Sequence, residues 1–235
     1  MPNWNLNRMS VKNARPEDVQ RIIDACNREQ LLSEFFPEPD WTTTPDKDGV
    51  FPGPEYKRSY YDHKQGRITR TWVDCRRFPD GKQDARWYKW RTSDGNWGTK
   101  WEPGEIDIST EGNTLYLTFD TAWCPMVETW MAEFSSQLPG ALIRNYYRED
   151  GCSFFGVMEA RDGEVTDICS DPEPLKQAFY KLSLSPEELA ILDKGDENEA
   201  DSKQYWSTYE SAQDLWYEEQ DSILQRYCDE QLAAA

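Results

Sequence analysis

A chain of 235 residues with a formal net charge of −18 and a sequence pI near 4.5 repels polyanions and attracts basic partners. Hydrophobic residues make up 37%, but aromatic residues reach 14%, with 11 tryptophans, which excludes a disordered chain. No apolar run approaches the ~20 residues of a membrane span. Six scattered cysteines with one histidine argue against a zinc site.

Residues 3 to 11 alternate weakly through Trp4, Leu6, Met9 and Val11, as a strand would. Pro16 then opens a helix, with Glu17 and Asp18 in its first turn, where the helix dipole favours acids. Val19, Ile22, Ile23 and Cys26 recur at helical spacing, and the helix is expected to run to about Phe36, before Pro37 and Pro39. Residues 37 to 55 are broken by prolines and glycines. Tyr56 to Tyr61 and Arg67 to Val73 read as a hairpin around His63 to Gly66. A turn at 79 to 82 leads into the tryptophan-rich stretch from Arg86 to Pro125, which carries Trp87, Trp90, Trp97, Trp101 and Trp123. Within it, Ile106 and Ile108 form a short strand, and Leu115, Leu117 and Phe119 alternate as a second. Pro125 is placed just inside the next helix. There Val127, Trp130, Met131, Phe134 and Leu138 make an apolar stripe, and Gly140 is its stop. Leu142 to Tyr147 and Cys152 to Met158 make a hairpin around Asp150-Gly151.

The expected fold is α+β: a ferredoxin-like antiparallel sheet in the order βαββαβ, with two helices on one face. A β-rich insertion follows the first helix. The expected division is a core of 1–36 and 95–165, a basic aromatic insertion of 37–94, and a helical acidic extension of 166–235. Tyr56 to Arg91 holds 11 basic against 4 acidic residues, and the chain from Asp171 onward 16 acidic against 5 basic. In the extension, Ser185-Pro186-Glu187-Glu188 is a capping box, with Pro at the first helical position. Gly195 ends that helix, and a long helix follows from Lys203. Tyr205, Tyr209, Ala212, Trp216, Ile223 and Tyr227 share its apolar face.

Several motifs together resemble the YubB-like proteins: the opening MPNW with Asn7-Arg8, N-W-G-T-K-W at 96 to 101, F-D-T-A-W-C-P at 119 to 125, and the run from Tyr146-Tyr147 to Gly156. The motifs cover the first 35 residues and residues 86 to 160. The resemblance implies a phage- or plasmid-encoded protein of a bacterial cytoplasm with a ferredoxin-like domain of unknown function. It implies no reaction, cofactor or catalytic residue.

The tryptophans read first as core, since each buries a large area, and second as a stacking or peptide-binding groove. Arg70, Arg76 and Arg77 of the insertion, among tyrosines and tryptophans, suit single-stranded nucleic acid, or they belong to a solvated two-sided sheet whose cations pair with the acidic extension, which would then lie over the insertion. Asp107 and Asp120 form a carboxylate pair of the kind that every acidic chain offers. No phosphate-binding glycine loop, nucleophile elbow or metal-ligand cluster stands out, so no catalytic residue, metal or cofactor is expected. The expectation is a non-enzymatic mobile-element protein that inhibits a host protein with a basic surface, such as a defence nuclease. Asp214, Glu218, Glu219, Asp221, Asp229 and Glu230 would stand in for DNA phosphates. The alternatives are a nucleic-acid-binding module using the insertion, and an assembly protein that forms a homo-oligomer through the C-terminal helix.

Overall fold

The computed structural model describes residues 3–53, 56–62, 67–195 and 199–234, with the backbone alone for 56–75 and 199–201. The core is a six-stranded sheet built from β1 (Trp4–Lys12), β5 (Ile106–Glu111), β6 (Thr114–Ala122), β7 (Leu142–Glu149), β8 (Phe154–Arg161) and β9 (Glu164–Ser170), in the order β5-β6-β1-β7-β8-β9. Every pairing is antiparallel. Its first four positions are those of a ferredoxin-like sheet, with β1 in the middle, and β8 and β9 extend one side. One extra strand was expected; two are present.

Alternation along β1 explains why the sheet has two useful faces. Asn5, Asn7, Met9 and Val11 are buried, and Trp4, Leu6, Arg8, Ser10 and Lys12 point the other way. The first set meets α1 (Pro16–Asn27), α2 (Leu31–Phe35) and α4 (Glu128–Ser136). Phe35 and Phe134 meet edge-on, with centroids 4.6 Å apart. Trp130 is fully buried and donates its indole N–H to the Leu32 carbonyl at 3.1 Å, which satisfies the one polar atom of the ring.

The helix expected to reach Phe36 stops at Asn27 instead. Glu29 adopts φ 55°, its N–H reaches the Cys26 carbonyl, and the Gln30 N–H reaches the Ala25 carbonyl. This is a Schellman ending with glutamate where glycine is usual. Pro125 likewise lies before α4 rather than in it. The residue that starts the helix is Val127, whose N–H is held by the Trp97 carbonyl at 3.1 Å.

The insertion carries a second sheet in the order β2-β3-β4: β2 (Tyr56–Asp62), β3 (Arg67–Arg77) and β4 (Gln83–Asp84). The turn of the β2–β3 hairpin, with His63, lies outside the described residues. Beyond β4 the chain winds into a helical turn, α3 (Arg86–Tyr88), followed by a π turn over Lys89–Ser93. The two ends of the insertion meet: the Trp97 indole donates to the Phe36 carbonyl at 2.8 Å, and Arg91 pairs with Glu38.

Three helices complete the chain: α5 (Glu173–Ser183), which the sequence reading passed over, α6 (Pro186–Lys194) and α7 (Glu199–Ala234). The capping box opens α6 as expected: the Glu188 N–H donates to Ser185 Oγ at 3.3 Å, and the Ser185 N–H to the Glu188 carboxylate at 2.8 Å. No helix among the described residues is long and apolar enough to cross a membrane.

Candidate functional site

The outer face of the sheet is divided in two. Over β8 and β9 it is apolar, with Phe155, Val157 and Ile168, and α7 lies on it. Ala212, Trp216, Gln220, Leu224 and Cys228 recur every four residues and are buried, so one stripe of α7 packs along its length. Trp216 also meets Phe179 of α5 (5.7 Å), and Tyr227 meets Phe155 (5.6 Å). Burial pushes the Cys228 thiol up to about 12.

Beside this stripe runs a row of carboxylates, and the sheet meets it with arginines. Asp221 binds both Arg8 of β1 and Arg148 of β7. Asp229 accepts from Arg144 at 2.9 Å and from the Tyr146 hydroxyl at 2.6 Å. Burial and this carboxylate hold the Tyr146 phenol at about 12. Arg148 also pairs with Asp150 at 3.3 Å, and Arg144 with Glu159. Between β1, β7, β8 and α7, the side chains of Arg8, Tyr146, Arg148 and Asp221 border a small cleft of about 40 Å³, which Leu6, Phe155 and Leu224 also line.

The uncovered half of the face lies over β6, β1 and the start of β7. Tyr116, Thr118, Ser10, Arg8, Lys12 and Arg144 line a shallow groove of about 390 Å³ there. Asp107 and Asp120 are exposed on the same side.

On the inner face, Tyr147 crosses to β9 and donates its hydroxyl to Asp167 at 2.7 Å. It passes over Gly156, its partner in the β7–β8 pairing. A Cβ at Gly156 would lie 2.4 Å from the Tyr147 oxygen and 2.2 Å from the Ile168 carbonyl oxygen, so only glycine fits at this crossing.

Residues 92–188 match the family model described as the ferredoxin-like domain in Api92-like protein. An uncharacterized protein, YubB, from Escherichia coli (strain K12) is 32% identical over 83 residues, 34% of this chain and 55% of the relative, so the chain spans about half of that relative's length. A crystal structure of protein api92 from Yersinia pseudotuberculosis is 12% identical, covers 73% of this chain and 98% of its own, and gives a TM-score of 0.39. The resemblance to YubB-like proteins of unknown function is thereby shown. The matched stretch of the Api92-like domain runs from the π turn through β5–β9 to the start of α6, but the middle strand β1 is supplied from outside it.

The structure places the acidic residues singled out from sequence on one helix but in different roles. Asp221 and Asp229 are paired with the sheet. Asp214, Glu218, Glu219 and Glu230 are exposed, without an ion pair among the described residues. Of the insertion arginines, Arg77 donates to the Gly81 carbonyl at 2.9 Å, Arg76 is half-buried, and the Arg70 side chain lies outside the described residues. The sequence reading missed Arg8, Arg144 and Arg148. The one signal for them was their alternation with apolar residues on strands, which places them on the outer face. Among the described residues no group of three His, Cys, Asp or Glu side chains is placed to hold a metal.

Proposed function

We propose that the protein is a binding module of a mobile genetic element that blocks a basic, nucleic-acid-binding host protein, with the carboxylates of α7 occupying the groove meant for phosphates. The observation that carries this reading is the seam itself. Asp221 and Asp229 already hold three arginines of the sheet, as phosphates would. Toward the helix start the same row continues with Asp214 and Glu218, which are exposed. An i, i+4 step along α7 advances about 6 Å, so the row offers regularly spaced charge to a partner's arginines. Six carboxylates were singled out from sequence; four of them, Asp214, Glu218, Glu219 and Glu230, are unpaired and open to a partner. The test is retention of a host-lysate protein that resists nuclease and elutes with salt. Reversing the four free carboxylates to lysine should abolish that retention. If the reversed protein holds the same partner at the same salt, the reading fails.

A second reading is favoured by the uncovered half of the sheet. Tyr116 with Lys12 offers a ring and a cation to single-stranded nucleic acid, and a phosphate there would compete with Asp221 and Asp229 for Arg8 and Arg144. Under that reading, retention on single-stranded DNA is lost in Tyr116→Ala and in Arg8→Ala.

A further inference from the structure

The tryptophan-rich stretch builds more than core. Trp97 is 1% exposed, but Trp101 is 39% and Trp123 38% exposed, and Trp4 beside them is 52% exposed. Trp101 stacks on Trp123 with centroids 5.9 Å apart, and Trp4 lies 6.3 Å from Trp101. Three neighbouring indoles in solvent are more than folding requires, and contiguous exposed aromatic surface marks interaction sites. Trp123 adopts φ 69°, a region unfavourable for a residue with a Cβ. The backbone around it is tied down: the Trp123 N–H donates to the Asn3 carbonyl at 2.9 Å, and the Ala122 N–H to Thr99 Oγ1 at 3.0 Å. The fold sustains strain that places this ring on the surface.

The chemistry of the patch selects its ligand. The Lys100 ammonium sits 4.5 Å from the Trp101 centroid, 5.9 Å from Trp123 and 5.5 Å from Tyr88, so these ring faces already attract a cation. Trp4 has no such partner among the described residues. It faces Ala122 across the β1–β6 pairing, which puts exposed Asp120 diagonally beside it on the outer face. A guanidinium stacked on Trp4 would have a carboxylate at hand and a net charge of −18 behind it. A nucleobase could stack there too, but its phosphates would meet that same charge.

The patch also shares an end of the sheet with the free carboxylates. Asp229 pairs at Arg144 and Asp221 at Arg148, so α7 runs antiparallel to β7. The helix before Asp221 therefore runs toward the end where Leu6 pairs with Arg148 and Trp4 begins β1.

We infer that Trp4, Trp101 and Trp123, with Asp120, form a docking patch for an arginine-bearing segment of a partner protein. The inference deepens the host-protein reading, from which it takes a basic partner, but it rests on the geometry of the rings. The test uses the full chain, labelled with nitrogen-15, and three probes: an Arg/Gly/Ser peptide, its Glu/Gly/Ser counterpart and an oligothymidylate. The arginine peptide should move the indole N–H resonances that disappear in Trp4→Ala and Trp101→Ala, and the other two probes should not. Each of those variants should bind the peptide about 5- to 30-fold more weakly, the range of a cation–π contact as it loses water, with an unchanged melting temperature. Asp120→Asn should weaken binding without loss of a ring. Unchanged affinity in both tryptophan variants, or movement of those indoles by oligothymidylate and not by the peptide, would overturn the inference. Loss of binding in Asp214→Lys/Glu218→Lys alone also overturns it and leaves the acidic-helix reading standing. Loss in the tryptophan variants alone supports the patch and leaves Asp214 and Glu218 with no part in holding the arginine peptide.

Discussion

Glu102 shows how one side chain joins distant parts of the chain. Its carboxylate accepts the Leu32 N–H at 2.7 Å and the Ser33 N–H at 2.8 Å, the free donors at the start of α2. Burial raises its pKa, and the bonds from Ser33 and Leu32 only partly oppose this. The folded carboxyl thus keeps its proton to higher pH than the unfolded one, whose pKa is about 4.3. Its contribution to stability is complete below the unfolded value and is lost as pH rises through the folded one. Relative to Glu102→Gln, which does not titrate, the natural protein should therefore lose stability as pH climbs above about 4. Urea unfolding at a series of pH values checks this; a difference that grows with pH would contradict it.

At the scale of elements, α7 is held by apolar packing and tuned by charge. Asp221→Ala strands Arg8 and Arg148, whose side chains are 46% and 20% exposed. The expected cost is about 1 kcal/mol, shrinking as salt is raised, as read from urea midpoints. Glu218→Ala, on the open side of the helix, should stay within about 0.5 kcal/mol of the natural protein.

Legibility from sequence follows the same division between local and distant contacts. The capping box at Ser185 and the alternation of Leu115, Leu117 and Phe119 are local patterns, and the structure has them. The end of α1 was illegible because Glu29, a poor residue for positive φ, stands where glycine usually announces the stop. The strand β9 was passed over because its residues are exposed or only half-buried, which leaves little apolar rhythm to read. The carboxylates of α7 were visible as a row, but their arginines were not: Arg8 and Arg148 lie 213 and 73 residues away from Asp221 along the chain.

For the whole molecule, the C-terminal helices supply the second layer of the sheet. Without them Phe155, Val157 and Ile168 would face water together with the uncovered half. Each fully buried large apolar side chain is worth about 1.5–3 kcal/mol, against a total stability of about 5–15 kcal/mol. A chain ending at Ser170 should thus unfold readily or self-associate through the bared strands. Light scattering would show the larger species; a stable monomer would contradict this view of the layers.

The clasp at the ends of the insertion gives the protein a modular seam. Phe36 and Trp97 are bonded to each other, and Glu38 and Arg91 close the gap beside them. The sheet is thereby complete whatever the chain does in between. Loop closure depends only weakly on length, about 0.6 kcal/mol per doubling. A change in the number of residues between 39 and 89 should therefore cost little in loop closure, because the clasp, and not the length of the insertion, holds its two ends together.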